Sequence, residues 1–235
     1  MLIHPQNLPA NLQAVRDRIA SAAVHYARNV DSVTLLAVGK GQPAETLDAA
    51  AALGLRDFGE NYLQEALPKL EALRELGLRW HFIGQVQSNK TREIAAHFDW
   101  VHTIDRARIA QRLSEQRPSG RTPLQACIQV RLGNEPGKGG VEPAGAADLV
   151  AAIRELPGLR LRGLMSVPPG ETTLAAQRAW FAQLRELRDA LQAGFPGLAL
   201  DTLSMGMSGD LEAAIAEGAT LVRIGTALFG PRRRD

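Results

Sequence analysis

"TLLAVGKGQPAETLDAAAALGLRDFGEN", residues 34–61, contains one strand–helix–strand unit. The run Val33 to Gly39 is aliphatic, Pro43 suits the opening of a helix, Gly54 suits its end, and Arg56 to Asn61 reads as a second extended run. A helix between two strands calls for parallel pairing, because parallel strands need a crossover, and such crossovers are right-handed. Working outward, the alternation recurs along the chain. Strands are expected at Val33–Gly39, Arg56–Asn61, Arg79–Gly84, Trp100–Ile104, Leu124–Arg131, Leu159–Val167, Leu200–Met205 and Thr220–Gly225. The helical segments between them carry Ser88 and Asp105 as candidate N-caps, Pro143 at a helix start and Gly194 after a long amphipathic stretch. Eight such units predict an α/β fold, a closed (β/α)₈ TIM barrel. An open doubly wound sheet is the alternative, but "AVGKGQP" lacks the G-x-G-x-x-G expected after its first strand.

A leading helix is expected within residues 1–30, where Leu12, Val15, Ile19, Ala22 and Tyr26 repeat at three- and four-residue spacing. No Gly/Ser-rich or Pro-rich linker divides the chain, so residues 1–235 are expected to form a single domain, with residues 231–235 a flexible basic tail. The composition, 45% hydrophobic and 22% charged, is that of a soluble globular protein and excludes disorder throughout. The net charge of +2, from 27 basic and 25 acidic residues, is too small to argue for nucleic acid or an anionic membrane as partner. No signal-like N-terminus and no run of 18 apolar residues occurs, so a cytoplasmic protein is expected. The single cysteine, Cys127, lies in the apolar run "LQACIQV", where a buried thiol is ordinary.

Barrel chemistry gathers at the C-terminal strand ends. Read in order, those ends are Lys40, Asn61, Gly84, Thr103, Arg131, Ser166, Ser204 and Arg223. Lys40 follows an apolar run, so its stem can lie against the barrel while its amine is partly desolvated and available to attack a carbonyl carbon. The bland alternative is a solvated loop lysine. Small-residue turns follow the last two expected strands: Ser204, Gly206 and Ser208 before a helix that Ser208 suits as cap, and Gly225 with Thr226. Loops at these places commonly hold phosphate, although Asp210 and Glu212 would compete for the same helix dipole. An imine-forming lysine beside a phosphate cradle describes either a Schiff-base aldolase or a pyridoxal-phosphate site. Arg223 favours the second: its guanidinium donates only, so a pyridine nitrogen facing it would stay unprotonated and the ring would be a poor electron sink.

The stretches "LLAVGK", "FGENYLQEALPK", "WHFIGQVQSNK", "NEPGKGG", "LRGLMSV" and "SMGMSGDLEAAIAEGATLVRIGTALFG" resemble the YggS/PROSC group of pyridoxal phosphate homeostasis proteins, from about Leu35 to Gly230. The resemblance implies the barrel of the alanine racemase N-terminal domain (fold type III), with pyridoxal 5′-phosphate held as an internal aldimine on Lys40. It further implies phosphate contacts at Ser204, Gly225 and Thr226, a ring-nitrogen contact from Arg223, and pocket positions at Asn61, Gly84 and Met205. Two departures stand out. The family usually has serine where this chain has Gly39, and often asparagine where it has Arg131, with Asn134 displaced along the loop. The resemblance also implies a carrier that passes the cofactor to apo forms of pyridoxal-phosphate enzymes without efficient catalysis, because the second, β-rich domain of the racemases, which supplies the other acid/base, has no counterpart here. A low-activity amino-acid racemase is the alternative, and a monomer is expected.

His81 reads as a packed core histidine, and the other histidines have no metal-ligand spacing. Lys90 and Lys138 fall in family motifs, as surface residues or secondary sites for transient imines.

Overall fold

All eight expected strands form and close on themselves in chain order, each pair parallel. The structure, a computed structural model, describes residues 7–133, 137 and 139–230. In chain order the elements are α1 (Leu8–His25), β1 (Thr34–Val38), α2 (Ala44–Ala52), β2 (Asp57–Glu60), α3 (Leu63–Ala72), β3 (Arg79–Phe82), α4 (Thr91–His97), β4 (Trp100–Ile104) and α5 (Ala107–Glu115). They continue with β5 (Leu124–Gln129), α6 (Ala146–Ile153), β6 (Leu159–Met165), α7 (Leu174–Gly194), β7 (Thr202–Ser204), α8 (Leu211–Ala216), β8 (Leu221–Ile224) and α9 (Thr226–Phe229). Closure is made by β1 against β8, with Thr34 opposite Leu221 and Leu36 opposite Arg223.

Most strands are a residue or two shorter than expected, although backbone bonds between neighbours run on past their ends, as from the Gly39 N–H to the Gly59 carbonyl at 2.9 Å and from the Ser166 N–H to the Ser204 carbonyl at 3.3 Å. The expected sixth strand reached Val167, but after Met165 the Ser166 hydroxyl turns to donate to the Val130 carbonyl at 2.9 Å. Likewise Arg131 lies beyond β5, where its guanidinium pairs with Glu142. Pro43 does open α2, and Gly54 follows it at φ +90°, a conformation suited to glycine. The expected caps differ. Ser88 begins a 3₁₀ turn before α4, Asp105 pairs with Arg106 at 2.7 Å instead of capping α5, and the Ser208 hydroxyl faces α9 while Asp210 stands at the N-cap of α8.

The main apolar core lies between barrel and helices. Phe58, Phe98 and Phe181 are fully buried there, and Phe82 meets Phe98 edge-on at 5.3 Å. The leading helix α1 buries Leu12, Val15, Ile19 and Ala22 against α8 and α9, as the spacing predicts, while Tyr26 stays half-exposed. Burying Leu12, Val15 and Ile19 is worth roughly 1.5–3 kcal/mol each. The Asn11 amide donates to the Leu228 carbonyl at 3.0 Å and fixes the helix beside the last barrel turn. Cys127 is buried, and burial pushes its thiol up to about 12, in keeping with an inert core thiol. No helix among the described residues is long and apolar enough to cross a membrane.

Candidate functional site

The C-terminal mouth of the barrel opens into a cavity of about 360 Å³. Lys40, Asn61, Arg223, Gly225 and Thr226 all line it, so five of the eight expected site residues meet there, together with Gln42 and Ser208. Gly84, Ser204 and Met205 do not line it.

Lys40 follows β1 by two residues and is half-buried, with its ammonium 4.6 Å from the centroid of the Tyr62 ring. Its loop is pinned from below. The Gly39 N–H donates to the Gly59 carbonyl at 2.9 Å, and the Gly39 carbonyl accepts from the Lys69 ammonium at 2.8 Å. Lys69, reaching back from α3, also pairs at 2.8 Å with Glu60 at the end of β2. Both side chains are buried, and the second Glu60 oxygen has no hydrogen-bond partner. Burial therefore raises the Glu60 carboxyl above its ordinary range, against the opposing pull of Lys69. A Cβ on Gly39 would stand 2.6 Å from Glu60 Oε1 and 2.9 Å from Leu47, so a serine at this position requires Glu60 to move.

Gly84 has a structural reason of its own. A Cβ there would fall 1.9 Å from the Asn61 backbone carbonyl, so only glycine lets the end of β3 approach the Asn61 turn. The Gly84 carbonyl accepts from the Thr103 hydroxyl at 2.5 Å. Met205 is fully buried in the apolar core.

Next to β1, β8 carries Arg223, 5% exposed. Its guanidinium donates to the Ser204 carbonyl at 2.5 Å, to the Ser204 hydroxyl at 2.9 Å and to the Ser166 carbonyl at 2.9 Å. Burial pulls it down to about 10, partly offset by Asp210, which leaves it cationic at neutral pH. Ser204 is thus committed beneath the arginine. The hydroxyl facing the cavity from this loop belongs to Ser208, which accepts from the Ala227 N–H at 3.3 Å and so stands at the start of α9 beside Gly225 and Thr226. The two carboxylates that argued against an anion are both engaged. Asp210 accepts from the Met207 N–H at 2.5 Å, and Glu212 pairs with Arg18 of α1 at 2.7 Å.

The set fits a phosphorylated aromatic aldehyde: one amine, one buried donor-only cation in the same cavity, and hydroxyls of Ser208 and Thr226 at the first turn of α9 for an anion. Lys90 lies away from this cavity, in a smaller recess with Tyr62 and Gln87, and Lys138 and Asn134 fall outside the described residues. The Glu60–Lys69 pair escaped sequence reasoning, although both residues sit inside the quoted "FGENYLQEALPK", a glutamate at a strand end and a lysine in the following helix.

Residues 3–233 match the family model described as alanine racemase, N-terminal domain. The chain is 58% identical over 222 residues to a pyridoxal phosphate homeostasis protein of Pseudomonas aeruginosa, covering 94% of each, and 49% identical over 225 residues to one of Escherichia coli, covering 94% of this chain and 95% of the relative. Among solved structures it superposes on PipY of Synechococcus elongatus with PLP bound, at TM-score 0.81 and 40% identity over 92% of this chain and 100% of PipY. The alanine racemase of Corynebacterium glutamicum, at 17% identity and TM-score 0.68, shares the fold. This chain belongs to the alanine racemase N-terminal-domain family, in which its near relatives are pyridoxal phosphate homeostasis proteins.

Proposed function

We propose that this protein binds pyridoxal 5′-phosphate reversibly through Lys40, limits the free aldehyde in the cell, and releases it to apo forms of pyridoxal-phosphate enzymes. The observation that carries the reading is the meeting of Lys40 and Arg223 in one cavity whose lining also offers Ser208, Gly225 and Thr226. The names of the relatives and the PLP-bound PipY support it. The ligand supplies an aldehyde, which an amine captures with loss of water. Lys40 would provide that amine, its ammonium lying beside the Tyr62 ring, Arg223 would donate to the ring nitrogen, and Ser208 with Gly225 and Thr226 would hold the phosphate.

The same lining supports a carrier over an enzyme. Racemisation needs a proton-transferring group on each face of the substrate carbon. Among the described lining residues Lys40 is the one amine, Arg223 stays charged, and the other polar groups, Gln42, Asn61, Ser208 and Thr226, supply no second acid/base. The reading extends to a cytoplasmic monomer, the latter to be checked by light scattering in solution.

Borohydride treatment of the loaded protein followed by peptide mass analysis is expected to place the added mass on Lys40. Lys40→Ala should lose that covalent attachment and bind at least a hundredfold more weakly, on the order of 3 kcal/mol. Undiminished trapping in the variant would refute the anchor, and rapid α-proton exchange of L-amino acids in D₂O by the loaded protein would favour the racemase.

A further inference from the structure

Six polar side chains from five strands are linked through the barrel. Asp57 and Arg79 begin β2 and β3 at its N-terminal end, and the Arg79 guanidinium pairs with the Asp57 carboxylate at 2.6 Å. Asp57 Oδ1 lies 3.1 Å from His81 Nε2, His81 Nδ1 lies 2.9 Å from His102 Nε2, and His102 Nδ1 lies 2.8 Å from the Ser204 hydroxyl. Ser204 in turn accepts from Arg223 at the wall of the cavity. The link between His102 on β4 and Ser204 on β7 spans the barrel interior, because those strands are not neighbours. His81, His102 and Ser204 are all but inaccessible, and His81 stacks on Trp100 with ring centroids 5.4 Å apart.

The two ends set the direction of every proton. Arg223 can only donate and an ionised Asp57 can only accept. The Ser204 hydroxyl accepts from Arg223 on one lone pair and, facing a neutral His102, gives its own proton to Nδ1. His102 must then carry its proton on Nε2 and give it to His81 Nδ1, and His81 carries its proton on Nε2 and gives it to Asp57. Both rings are neutral and each link has one donor and one acceptor. A proton added to His81 sets two donors face to face, and one added to His102 removes the acceptor of the Ser204 proton. We propose that His81 and His102 are positioning residues for Arg223: with Asp57 and Ser204 they form a one-directional relay that fixes the guanidinium at the cavity wall from the opposite end of the barrel.

Burial lowers both histidines from their ordinary range, in agreement with neutral rings. The charged groups that act on them are Asp57, Asp99 and Arg79 at His81, and Arg223 at His102. The relay itself stands on the geometry; its consequence for the ligand rests on the function proposed above.

Nitrogen-15 NMR of histidine-labelled, ligand-free protein at pH 7 is expected to place the proton on Nε2 in both rings. Nδ1 protonation or a cationic ring at either position would overturn the relay. In Asp57→Asn the amide can donate as well as accept, so His81 and His102 should become tautomer mixtures, and in Ser204→Ala, where the link to Arg223 is gone, the dissociation constant for pyridoxal 5′-phosphate should rise about tenfold. Unchanged tautomers with unchanged affinity would refute the proposal, since a residue that merely packs would leave both untouched. If the unaltered protein fails to bind the cofactor, the proposed function falls, while the tautomer measurement still decides the relay.

Discussion

The lysine side and the arginine side of the cavity are supported in opposite ways. Behind Lys40 stands a buried ion pair, Lys69 with Glu60, that leaves one carboxylate oxygen without a partner. Behind Arg223 stands a chain of neutral groups that ends on the Asp57 carboxylate, each link with a donor and an acceptor. A buried pair holds its position through strong attraction but carries a large desolvation cost, whereas a neutral relay loses less on burial and depends on direction. The loop that offers an amine is therefore clamped by charge, and the guanidinium is aimed by a sequence of hydrogen bonds.

The comparison breaks most visibly at Lys69. Lys69→Met leaves Glu60 buried with no counter-charge and should cost about 3–5 kcal/mol in urea unfolding, whereas Lys69→Met with Glu60→Leu should recover most of that loss. Equal losses in the single and double variants would mean that the pair is not a clamp.

Acid comes next and acts on the two sides with opposite sign. His81 and His102 are held below their ordinary range by burial, so the unfolded chain takes up protons first, and their contribution, complete above about pH 6.5, declines as pH falls below it. At Asp57 burial alone would raise the carboxyl, but the bonds from Arg79 and His81 bring it down to about 2, so its contribution is present above about pH 4 and lost only toward pH 2. Glu60, raised by burial, is relieved on protonation instead. Unfolding followed from pH 8 to pH 5 should therefore steepen below pH 6.5, and a flat profile would contradict buried neutral histidines.

The smallest effect is expected at Ser204. Ser204→Ala removes one link while Arg223 keeps the Ser204 and Ser166 carbonyls, so thermal unfolding should report about 1–2 kcal/mol. A loss as large as that of Lys69→Met would erase the contrast between the two sides.

Much of this was legible along the chain. Parallel pairing followed from the helix between two strands, and the positions of Lys40 and Arg223 followed from strand ends, because a barrel places those ends at one mouth. What failed was local. Ser204 and Ser208 are four residues apart in one glycine-containing turn; the first points under Arg223 and the second into the cavity, a difference set by where β7 ends. Gly84 reads as a pocket position and is instead the site of close approach to Asn61.

By itself the sequence determined the strand–helix period, hence the barrel, and the residue types at its mouth, because periodicity and strand ends are local properties. Only the tertiary structure decided the relay. Asp57, His81, His102, Ser204 and Arg223 come from five strands, and a hydrogen bond across a barrel interior depends on register and on which face each side chain takes, neither of which any one segment contains.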